Sequence, residues 1–137
     1  MIEKDVIYSK INIIKNCLMA IEKVKVQEQD KDFQLGLYEL NLQRAAQACI
    51  DMANVILSKE GLGLPNSYKQ SFVILNRHGI ISSDLTKKMT SMVGFRNISV
   101  HDYEQIKPEI VESIVTHNLK DLEEFYTIIF KHVNNSW

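Results

Sequence analysis

The stretch Glu3–Gln27, EKDVIYSKINIIKNCLMAIEKVKVQ, decides the class of fold. Its residues Ile7, Ile11, Ile14, Leu18 and Ile21 recur at alternating four- and three-residue steps, the repeat of one helix face. Val6, Ile13, Cys17, Ala20 and Val24 widen that stripe. After a polar link, Gln27 to Asp32, the same repeat resumes from about Phe33 to Lys59, with Leu35, Tyr38, Leu42, Ala45, Cys49, Met52 and Ile56 on one face. Asn41, Arg44, Gln47, Asp51 and Asn54 fall opposite, a polar stripe expected either to face solvent with an exposed Arg44–Asp51 pair or to form one wall of a cleft between two copies. Gly61-Leu62-Gly63-Leu64-Pro65 stops the second helix.

A shorter helix is expected from Ser67 to Arg77, capped by Asn66 or Ser67, with Gly79 just past its end. Ser82-Ser83-Asp84 caps a fourth, which turns Leu85, Met89, Met92, Val93 and Phe95 inward and frays near His101 to Glu104. Lys107 is biased away from helix by Pro108, and Pro108 suits the first turn of a last helix running to about Val133. Val111, Val115, Leu122, Phe125 and Ile129 face inward along it. Four long helices and one short one, joined by short links, predict an all-α up-down bundle, one domain over residues 1–137.

The composition agrees. With 137 residues, 45% hydrophobic and 24% charged, the chain carries enough apolar surface for a single core, which excludes disorder. Five glycines and two prolines are too few for the turns of an all-β fold. No apolar run reaches the length of a membrane span, and the N-terminus lacks the order of regions that marks a signal peptide. Cys17 and Cys49 lie in apolar helical patterns and read as buried thiols in a reducing compartment. A cytoplasmic protein is therefore expected.

The net charge of −1 conceals an uneven distribution. Residues 66–107 hold six basic side chains (Lys69, Arg77, Lys87, Lys88, Arg96, Lys107) against three acidic ones (Asp84, Asp102, Glu104). That balance excludes a protein that coats nucleic acid by charge alone, and it permits one that grips a single phosphate.

No Gly-rich phosphate loop, HExxH, GxSxG or paired-cysteine spacing occurs. His78, His117 and His132 have no partner at ligand spacing and are expected at the surface. The chemistry concentrates in Arg96-Asn97-Ile98-Ser99-Val100-His101-Asp102-Tyr103. Asn97 and His101 share a helix face one turn apart, so Asn97 is placed to orient the ring. Arg96 and His101 diverge by about 140° at 3.6 residues per turn. They converge on one ligand only where the helix ends or a second surface closes a groove.

The string fits R-x4-H-x-Y, and here the sequence resembles the HepT-like toxins of the HEPN domain superfamily. Arg96, His101 and Tyr103 fill the defining positions, and Asn97 the commonly polar one. Residues 41–54, NLQRAAQACIDMAN, and Met92-Val93-Gly94-Phe95 extend the resemblance over essentially the whole chain. It implies a metal-independent endoribonuclease, without cofactor, serving as toxin in a bacterial or archaeal toxin–antitoxin pair. RNA supplies its own nucleophile, the 2′-OH. An imidazole, titrating near pH 6.5 when unperturbed, carries the proton; the Arg96 guanidinium stabilises charge on the phosphorus. Asn97 and Asp102 are supporting candidates whose roles stay open. The resemblance further makes Tyr103 the acceptor of AMP from a nucleotidyltransferase antitoxin. It leaves two competitors, a non-catalytic HEPN subunit that binds substrate or nucleotide for a nucleotidyltransferase and a purely structural bundle. The splayed Arg96 and His101 ask for a homodimer to close the cleft.

Overall fold

A computed structural model describes residues 1–102 and 106–137. It contains six helices: α1 (Ile2–Val26), α2 (Lys31–Glu60), α3 (Tyr68–Arg77), α4 (Ser83–His101), α5 (Pro108–His117) and α6 (Leu119–Ser136), with no strand among the described residues. The caps act as their sequence demands. Asp30 accepts from the N–H groups of Asp32 and Phe33, Ser67 Oγ from that of Gln70, and Ser82 Oγ from that of Leu85. Gly61, at φ 64°, closes α2 in the left-handed conformation that a side chain would strain. Lys107 is extended and Pro108 opens α5.

α1 and α2 form a long antiparallel hairpin across residues 27–30, and α2 packs against every other helix. That centrality corrects the expected polar stripe. Twelve residues of α2 are buried, and its alanines Ala45, Ala46, Ala48 and Ala53 let neighbours approach on several sides. Asn41, expected in solvent, is buried and donates from Nδ2 to the Leu37 carbonyl. Asp51 pairs with Lys10 of α1 at 2.9 Å and accepts from Gln47 Nε2, so it is not the partner of Arg44. Lys31 Nζ meets Glu112 at 2.6 Å, tying α5 to the first turn of α2; the carboxylate's hydrogen bond raises the ammonium's pKa.

The expected last helix is two. At Asn118 (φ −118°, ψ 1°) the chain leaves helical geometry, and the side-chain Nδ2 donates to Asp121 Oδ2 at 3.0 Å. An Asn that bonds locally competes with the helical ladder, and here it ends α5 and starts α6. The inward set Val111, Val115, Leu122, Phe125 and Ile129 is nonetheless buried as expected. Phe125 meets Phe72 of α3 edge to face, ring centres 5.4 Å apart, in the middle of the core.

Cys17 and Cys49 are free and buried, and burial pushes both thiols up, so neither is a ready thiolate. His78 and His117 are exposed. His132 departs from expectation: its Nε2 lies 2.6 Å from Glu60 Oε2, which also accepts from Trp137 Nε1 at 3.2 Å. The end of α6 is thereby joined to the end of α2. No helix among the described residues is long and apolar enough to cross a membrane.

Candidate active site

α4 carries the motif to its last residue. Asp102 caps the helix, its N–H donating to the Ile98 carbonyl at 2.8 Å, and His101 stands exposed on the final helical position. Tyr103 lies outside the described residues. Arg96 is half-buried one turn and a half earlier. Its Nη1 donates to Asn97 Oδ1 at 3.1 Å, and its guanidinium stacks on the Tyr68 ring at 5.2 Å, a cation–π contact with the first residue of α3. Its Nε is buried with no hydrogen-bond partner among the described residues. A guanidinium bound on one edge and stacked on one face is held in orientation while donors remain for an incoming oxyanion.

Asn97 therefore serves the arginine; the expected hydrogen bond to the His101 ring is not formed. The helix persists through His101, so Arg96 and His101 leave α4 about 140° apart and about 7.5 Å along its axis. On the helix itself the two residues do not share a face.

The sequence assigned no part in the site to Ser99, Glu39, Gln43, Tyr68 or Lys69. Ser99, buried between the two motif residues, places Oγ 2.9 Å from Gln43 Oε1 and 3.2 Å from Glu39 Oε1, both on α2. A hydroxyl has one proton, so it donates to one oxygen at a time. The tie fixes the last turn of α4 against the central helix. Lys69 of α3 also borders the motif helix: a Cβ on Gly94 would sit 3.6 Å from its Nζ, so the bare backbone of α4 is where that ammonium rests. Ser99 sits within the motif string; Glu39 and Gln43 are some sixty residues away, and only the tertiary packing brings them near. The described residues hold no cluster of three or more His, Cys, Asp or Glu placed to bind a metal ion.

Residues 7–129 match the family described as ribonuclease HepT-like. The chain belongs to the ribonuclease HepT-like family. It is 41% identical over 128 residues to the mRNA nuclease HepT of Shewanella oneidensis, covering 91% of this chain and 96% of that one. It is 27% identical to the tRNA nuclease HepT of Aphanizomenon flos-aquae, covering 98% and 91%. Among solved structures it superposes with a TM-score of 0.84 on the tri-AMPylated HEPN toxin of Shewanella oneidensis in complex with MNT antitoxin, at 39% identity, covering 91% of this chain and 96% of that one. The all-α HEPN-type bundle is thus the fold of this HepT-like chain. The Bacillus subtilis protein YutE shares the fold alone, with a TM-score of 0.83 at 12% identity.

Proposed function

We propose that the chain is an RNA-cleaving toxin that works without a metal, with residues 1–137 acting as one domain in the cytoplasm. Arg96 carries this reading: a half-buried guanidinium stacked on Tyr68 and held by Asn97, in a HepT-like chain whose named relatives are nucleases. The 2′-OH attacks the adjacent phosphorus and the 5′-oxygen leaves, giving a 2′,3′-cyclic phosphate and a 5′-hydroxyl. His101 moves the proton between those oxygens, and Arg96 receives the charge on the equatorial oxygens of the pentacovalent state. Asn97 is a positioning residue that holds Arg96. Asp102 ends the helix, which leaves the exposed His101 ring at its tip. Since the side chains supply both proton and charge, cleavage should persist unchanged in EDTA. Activity lost in EDTA and restored by Mg²⁺ would exclude this mechanism.

The 140° divergence of Arg96 and His101 is closed by a second copy, whose surface completes the cleft around a two-fold axis. Light scattering at micromolar concentration should give twice 15.8 kDa; a purely monomeric species contradicts the arrangement.

Control runs through Tyr103 and a nucleotidyltransferase antitoxin. A bound AMP brings a negative phosphate and a purine within two residues of His101, opposing an RNA phosphate by charge and by volume. With the antitoxin, ATP and Mg²⁺, the toxin should gain the mass of AMP and lose nuclease activity. Tyr103→Phe should keep its activity and resist the modification. A mass gain that survives in Tyr103→Phe moves the acceptor elsewhere.

A further inference from the structure

Lys69 is the second residue of α3, a cation in a first turn that holds no acidic side chain. The positive end of the helix dipole disfavours an ammonium there, so the position does not serve the helix. Among the described residues the ion pairs engage Lys10, Lys25, Lys31, Lys88 and His132, and Lys69 joins none of them. Its side chain is exposed and lies over α4, where a Cβ on Gly94 would sit 3.6 Å from Nζ and 3.8 Å from Cε. The ammonium thus keeps its donors for solvent or a ligand.

That place is aligned with the motif. Gly94, Ile98 and His101 follow steps of four and three and share one edge of α4, on which Ile98 and His101 are exposed. Arg96, two residues after Gly94, leaves the helix about 160° away and meets Tyr68 instead. The first turn of α3 therefore sets Tyr68 against the Arg96 side of α4 and Lys69 against the His101 side. From Gly94 to His101 the helix rises about 10 Å, which separates Lys69 from a phosphate held at His101. The surroundings favour an anion. Residues 61–101, which hold all of α3 and α4, contain one acidic residue, Asp84, and it is paired with Lys88 at 3.1 Å. Glu39 of α2 meets α4 at Ser99, about 140° round the helix from Gly94.

We infer that Lys69 binds a phosphate of the RNA strand next to the scissile one, on the His101 edge of α4, with Gly94 keeping that place open. The inference rests on the RNA-cleaving reading. Lys69 gives this edge the fixed positive charge that Arg96, on the other side of the helix, does not. A phosphate there is drawn by charge and makes no distinction among bases, so the contact positions the strand and leaves sequence choice to other groups. Ile98, 45% exposed between the two positions, offers an apolar surface to the intervening nucleotide.

The test is fluorescence anisotropy of the full chain with a single-stranded RNA of about ten nucleotides, 2′-O-methylated so that it cannot be cleaved by its own hydroxyls, over a range of salt. Each phosphate contact on a single strand contributes about 0.7 to the slope of log K against log salt. Lys69→Gln should lower the slope by about that amount and weaken binding about five-fold at about 0.1 M salt. Lys69→Arg should restore both. Gly94→Asp, at a site with ordinary room for a Cβ, sets a carboxylate beside the ammonium and should lower the slope at least as much. A lysine with only a structural role would leave the slope alone. An unchanged slope in folded Lys69→Gln, or a wild type that does not bind the strand, would overturn the contact. So would a lowered mass by light scattering, which would make Lys69 an interface residue. Cleavage of unmodified RNA, measured in parallel, separates the two readings. Cleavage with a slope that ignores Lys69 removes only the contact; a Lys69-dependent slope in a wild type that cleaves no RNA removes the nuclease reading and leaves the phosphate site.

Discussion

His101→Ala is expected to lower RNA cleavage by at least about 10²-fold while the fold is kept, the usual scale for losing a positioned acid–base group. The ring is exposed on the last residue of α4 and makes no side-chain hydrogen bond among the described residues, so its removal leaves the core untouched. Arg96→Lys is expected to lose as much activity, for a different reason. A lysine keeps the charge, but it loses the planar fork, the stack on Tyr68 and the Nη1 bond to Asn97. Induced expression followed by growth and RNA-cleavage assays checks both variants. Unimpaired cleavage in His101→Ala would exclude His101 as the proton carrier, and a wild type that cleaves no RNA would shift the reading to the binding subunit, which needs none. If Arg96→Lys retained full activity, oriented donation by the guanidinium would be excluded.

Phe125→Ala carries the largest expected loss of stability. Phe125 is fully buried and meets Phe72 of α3 edge to face. Removing the ring leaves a cavity and ends an aromatic contact, a change of about 3–5 kcal/mol. Against a total of roughly 5–15 kcal/mol, that is a large share of the whole. Urea denaturation should show a lower midpoint with an unchanged slope. A loss under about 1 kcal/mol would mean that the site collapses around the missing ring.

The parts of the fold legible in the sequence were those fixed by local chemistry. Ser67 and Ser82 cap because their hydroxyls reach the N–H three residues on. Pro108 opens a helix because its missing N–H has no partner there in any case. The apolar repeat of α1 placed Ile7, Ile11, Ile14 and Ile21 in the core. The break at Asn118 was not legible, because an asparagine costs a helix little until its side chain finds Asp121. Polar Asn41 suggested a wet face for the same kind of reason: periodicity shows which face is apolar, not how many neighbours a central helix has. In the candidate site, Arg96, Asn97 and His101 stood within one short string. Glu39, Gln43, Tyr68 and Lys69 gained their places only through the packing of α2 and α3 on α4.

The hairpin of α1 and α2 bears on the order in which a cell makes this molecule. Its two arms are adjacent in the chain and joined by four residues, the kind of local pairing that forms quickly. Synthesis proceeds from the N-terminus, so the wall containing Glu39 and Gln43 is complete before the ribosome has added Arg96 and His101. The motif helix then docks on a surface already in place, with Ser99 as its fastening. On the proposed reading, each new chain becomes competent once its last helix is released and a second copy closes the cleft. If an antitoxin restrains it as proposed, that restraint has to act between release and pairing, which favours an antitoxin already present when each new copy leaves the ribosome.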